Sequence, residues 1–89
     1  MQGIFCVKDL RADCYLKPFI VLNVPEAIRA VSVAANNPDS NLGRFPTEYA
    51  LYQCGSFEES DGSVIALPQP THICIVDELV NRKEQSNAS

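Results

Sequence analysis

The apolar positions between residues 3 and 8 alternate without leaving a polar face. Ile4 and Cys6 point one way, and Phe5 and Val7 point the other. A strand with apolar groups on both faces suits the middle of a sheet. The polar run from Asp9 to Asp13 turns the chain, and Cys14, Tyr15 and Leu16 bring it back. Lys17-Pro18 interrupts this return, because proline lacks an amide donor and biases its predecessor toward extended geometry. Phe19 to Leu22 then resumes an extended apolar run. These patterns predict strands near residues 3–8 and 13–21.

The period changes at Asn23. Val24, Ile28, Val31 and Ala35 recur at helical spacing as one stripe, with Arg29 and Ser32 off it. Asn23 is a good N-cap residue, Pro25 fits a first helical turn, and Glu26 sits where a capping box and the helix dipole favour an acid. Asn36-Asn37-Pro38 stops the helix, which is therefore expected over 24–36. Residues 39–44 read as a polar loop and Phe45-Pro46 as the lead into a hairpin. That hairpin has strands near 48–57 and 63–67, joined by Glu58-Glu59-Ser60-Asp61-Gly62, where Asp-Gly supplies the positive-φ turn.

Pro68-Gln69-Pro70 reads as an extended crossover. Beyond it two patterns compete. His72, Ile75, Val76, Leu79 and Val80 fit a helix with Thr71 as its cap, whereas the β-branched residues from Thr71 to Val76 fit a strand. The periodicity favours a short helix over 72–81. The expectation is thus a single α+β domain over residues 1–81. It has a small antiparallel sheet of about four strands, one amphipathic helix packed on one face and a short C-terminal helix. A polar tail follows over 82–89.

Length and charge narrow the picture. An 89-residue chain holds one domain with a thin core. A domain that small is expected to pair as a homodimer, hiding its second sheet face. No apolar run approaches the ~20 residues of a membrane span. The N-terminus lacks the basic region and cleavage site of a signal peptide. A soluble, intracellular protein is expected, with no membrane contact. Cys6, Cys14, Cys54 and Cys74 are widely scattered and have a single histidine, His72, for company. Reduced thiols in or near the core are expected, rather than disulfides or a zinc site. The net charge of −4 argues against indiscriminate binding to nucleic-acid phosphates, though not against a local basic patch.

No constellation of residues announces catalysis. The pairs Glu58-Glu59 and Asp77-Glu78 read as solvated faces, and His72 has no triad pattern around it. Phosphate-loop, dinucleotide and metalloprotease motifs are absent. A non-enzyme without cofactor or metal is expected. Two binding surfaces can be drawn instead. Lys8, Arg11 and Lys17, with Arg44, surround Tyr15 and Phe19, and cations among rings suit single-stranded nucleic acid. The acidic hairpin tip of Glu58, Glu59 and Asp61 suits a basic protein partner.

Several segments resemble one family in the same order. They are Phe5-Cys6-Val7-Lys8-Asp9, Ala27-Ile28-Arg29-Ala30-Val31, Asn37-Pro38 and Phe45-Pro46-Thr47-Glu48-Tyr49-Ala50-Leu51-Tyr52, followed by Gly55-Ser56-Phe57-Glu58-Glu59-Ser60-Asp61-Gly62. Across residues 3–67 the chain resembles the small nonstructural protein of the gokushovirus branch of the Microviridae, tailless phages with circular single-stranded DNA. It departs from the family pattern in having Phe45 for a histidine, Thr47-Glu48 for an acidic pair, and Glu58-Glu59 for two aspartates. The resemblance implies a phage protein of the host bacterial cytoplasm, outside the virion, that assists viral single-stranded DNA synthesis and is often labelled DNA-binding. It carries over no catalytic residue. The acidic charge is better matched by an adapter that docks on the phage replication initiator or a host replication protein.

Overall fold

A computed structural model describes residues 1–81; the polar tail expected over 82–89 lies outside the described residues. The core of the architecture is a long antiparallel ladder. Strand β1 (Gln2–Asp9) pairs along one edge with β4 (Tyr49–Glu58), which pairs in turn with β5 (Ser63–Ile75). The other edge of β1 is covered twice, by β2 (Cys14–Tyr15) and β3 (Phe19–Val21). These two are one returning strand, broken at Lys17-Pro18 where the sequence predicted an interruption. The α+β expectation is met: a five-stranded antiparallel sheet carries one principal helix.

That helix, α1 (Val24–Ala35), begins as its sequence dictates. The Asn23 side chain accepts a hydrogen bond from the Glu26 backbone N–H at 3.0 Å, satisfying a donor that has no partner within the helix. Ala27, Val31 and Ala35 are buried against Phe5, Val7, Leu51, Cys74 and Val76, and Val24 and Ile28 pack at the margin. Phe5, Leu51 and Val76 are completely enclosed. The expected stripe is therefore the buried face, with Ala27 added to it.

Two segments depart from expectation. Residues 41–44 form a short helix, α2 (Asn41–Arg44), where a polar loop is expected. Ser40 caps it, accepting from the Gly43 N–H at 3.0 Å while its own hydroxyl donates to the Ala34 carbonyl. Leu42 packs on the core. Gly43 is required here, because a Cβ at that position would collide with the Asn37 carbonyl oxygen.

The second departure is larger. The short helix expected over 72–81 is corrected to the end of β5, which runs unbroken to Ile75; only Val76–Leu79 makes a 3-10 turn. The reason is the neighbouring strand. β4 offers its outer edge at residues 50–53, and Ile75, Cys74, His72 and Thr71 answer it. A helix there would leave those backbone groups without partners. Pro68 and Pro70 are tolerated because β5 is the sheet edge and the register slips beside them, between Gln53 and Gly55 of β4. At the other end of the hairpin the Asp-Gly expectation is met: Gly62 has φ of +78° and donates its N–H to the Glu58 carbonyl at 2.8 Å.

Candidate nucleic-acid interface

The helix covers only one face of the sheet. Strand alternation sends Phe5, Val7 and Leu51 toward α1 and their neighbours Cys6, Lys8 and Tyr52 to the opposite face. Register then decides what meets on that open face. Lys8 pairs with Tyr15 of β2, Cys6 with Tyr52 of β4, and Tyr52 with His72 of β5. The result is an aromatic row across four strands. Tyr15 and Tyr52 meet edge to face with ring centroids 5.5 Å apart, and Tyr52 meets His72 in the same way at 5.3 Å. Edge-to-face contact matches positive ring edges to negative ring faces and adds to the hold of the backbone ladder on the row.

Lys8 lies over this row, its Nζ 5.3 Å from the Tyr15 centroid and 6.0 Å from that of Tyr52. It also pairs with Asp13 at 3.0 Å, and that hydrogen bond is the main cause of an ammonium pKa above the ordinary lysine value. Asp13 reaches this position from a left-handed backbone conformation, φ 56°, in the β1–β2 turn. Tyr15 and His72 are exposed and Tyr52 is half-buried between them. Below the row, Cys6 and Cys54 are free thiols with Sγ atoms 2.8 Å apart, Cys54 being the extra residue where the β1–β4 register slips. Burial, then contact with Cys54, pushes the Cys6 thiol up to about 12. Cys74 is buried, whereas Cys14 is exposed, contrary to the expectation that every thiol lies in or near the core.

The structure divides the cluster of cations and rings drawn from sequence. Lys8 and Tyr15 stay together. Phe19 turns inward, 5.9 Å from the Phe5 ring, and joins the core margin. Lys17 sits beside the groove between α1 and the β2–β3 segment, with Leu16 and Leu42. Arg11 pairs with Glu48 at 3.5 Å, and Arg44 lies over the Phe45 ring at 5.6 Å. Tyr52 and His72 take the places of Phe19 and Lys17. Their membership depends on a register between strands far apart in sequence, and the parity of β4 was the one signal available: Tyr49 and Tyr52 cannot share a face, and Tyr49 packs at the core margin.

The acidic tip behaves differently. Glu58 accepts from the Ser60 N–H at 3.2 Å and Asp61 from the Ser63 N–H at 2.9 Å, so both carboxylates brace the turn. Hydrogen bonding to Ser63 also holds Asp61 below the usual carboxylate range. Glu59 pairs with the Met1 amine at 2.9 Å, which lowers its carboxyl to about 2.

A small antiparallel sheet with a helix on one face and a row of rings on the other is a two-layer α+β domain. The family model described as phage ORF5 protein matches residues 2–79, and the chain belongs to this family of phage proteins. No curated protein and no solved structure matches the chain. Among the described residues no helix is long and apolar enough to cross a membrane.

Proposed function

We propose that this phage protein is a non-catalytic accessory factor in the synthesis of a single-stranded DNA genome, and that the Tyr15–Tyr52–His72 row is its contact with unpaired bases. It would work in the host cytoplasm and outside the virion, as the gokushovirus resemblance implies. The observation that carries the reading is the row itself: three rings on the solvent-facing side of the sheet, with Lys8 over them. Stacking accepts any base and needs no readout, as suits a protein that follows a genome rather than a site. The chain's charge of −4 and the Lys8–Asp13 pair make phosphate attraction a minor contributor.

The test is titration of labelled single-stranded DNA at several salt concentrations. With one cation at the row, log K against log salt should slope at about −0.7, the value for one neutralised phosphate on a single strand. Tyr52→Ala should weaken binding roughly 10- to 100-fold, the value of one stacked base, while Tyr52→Phe and Lys17→Ala stay near wild type. No binding at low salt, or equal binding by Tyr52→Ala, would sink the proposal.

The exposed Glu59 and Asp61 favour a second reading, an adapter that docks its acidic turn on the basic surface of the phage replication initiator or of a host replication protein. Pull-down of the initiator by wild type, but not by Glu59→Lys/Asp61→Lys, would select it.

A further inference from the structure

We infer that the outer face of α1 is the contact surface of a two-fold homodimer, independently of what the opposite sheet face binds. Of the twelve residues in α1 only Glu26, Arg29 and Ser32 are polar. A helix this apolar is ordinarily covered on more than one side. Its inner stripe is used by the core, yet Val33 is 71% exposed and Leu22, just before the N-cap, 62%. These two residues, with Glu26, Arg29 and Ala30, line a shallow groove on the outer side. On the helix itself Glu26, Arg29, Ala30 and Val33 fall within about 100° of arc, opposite the buried stripe.

The arrangement of these residues selects the occupant. Leu22 and Val33 are equidistant in sequence from the peptide bond between Ala27 and Ile28, and so are Glu26 and Arg29. A two-fold axis at that level, with the helices antiparallel, sets each Leu22 against the partner copy's Val33 and each Glu26 against the partner copy's Arg29. An isologous interface demands such self-complementarity, because one patch must match itself after rotation. Within one chain Glu26 and Arg29 already pair at 3.5 Å across an exposed surface. In the dimer the two pairs become a four-charge cluster near the axis, with a Leu22–Val33 contact on either side of it. Ala30 beside the axis presents only a methyl group and allows close approach of the helices. The sequence-based expectation is a dimer that hides the second sheet face; this arrangement leaves that face, and the aromatic row, open.

Sedimentation equilibrium of the full chain over a concentration series tests the inference. Wild type should show a monomer–dimer equilibrium, and Arg29→Glu or Glu26→Arg should each weaken it at least about tenfold by setting like charges across the axis. Mixing those two variants should restore dimerisation, since a copy with acids at both positions then meets a copy with arginines at both. Val33→Asp, at an exposed position where circular dichroism should report an intact fold, should also abolish the dimer. Wild type that remains monomeric at about 0.5 mM would overturn the inference. So would a dimer indifferent to Val33→Asp, or single variants whose mixture fails to associate.

Discussion

Asn36 follows the last turn of α1 and is exposed, yet its side chain ties that turn to the far end of the chain. Its Nδ2 donates to the Ser32 carbonyl at 2.8 Å and to the Leu79 carbonyl at 3.0 Å, and its Oδ1 accepts from the Asn81 N–H at 2.6 Å. Two of these three bonds reach more than 40 residues along the sequence, so they anchor the 3-10 turn that buries Val76. Asn36→Ala removes all three. Each exposed bond contributes about 0.5–1 kcal/mol net, which sets the loss near 2 kcal/mol. Against a total stability of about 4–13 kcal/mol for 89 residues, that is a large fraction. Thermal unfolding followed by circular dichroism should show a midpoint lowered by roughly 8–16 °C.

Asn36→Asp separates this account from a purely local cap. The aspartate keeps the acceptor for Asn81 but loses both donors, and it places a negative charge beside two carbonyls at the negative end of the helix dipole. It should be no more stable than the alanine variant. Hydrogen exchange at residues 76–81 should accelerate in both. An alanine variant within about 0.5 kcal/mol of wild type, or an aspartate variant clearly more stable than alanine, would refute the reasoning.

Other expectations concern the core and the thiols. Leu51 is completely enclosed, so Leu51→Ala should cost about 3–4 kcal/mol in urea denaturation, whereas Leu51→Met should cost under about 1.5. Cys6 holds its proton to about pH 12 when folded, against an ordinary value of 9.0. The unfolded chain therefore sheds that proton first. The stabilisation it brings is complete below pH 9, falls as pH rises toward 12, and should be missing from the pH–stability profile of Cys6→Ala. Alkylation of the native protein at mildly alkaline pH should modify exposed Cys14 well ahead of Cys6, as peptide mass spectrometry would show.

Local chemistry alone determined the helix and the hairpin turn. Asn23, Pro25 and Glu26 start a helix wherever they stand before a periodic apolar run, and Asp61-Gly62 makes its turn through backbone preference. The interruption at Lys17-Pro18 was equally legible, because a proline lacks its donor in any context. Tertiary structure decided the rest. Residues 71–75 satisfy helix and strand patterns alike, and the bare edge of β4 tipped them to strand by offering backbone partners. Val33 reads as one more apolar helix residue until the core is seen to occupy the opposite stripe. The candidate interface was the least legible feature. Lys8 and Tyr15 are near neighbours in sequence, but Tyr52 and His72 join them only through the pairing of β1, β4 and β5. One residue of slip between β1 and β4 would send Tyr52 to the other face, away from Lys8 and Tyr15, because side chains on a strand alternate with a period of two.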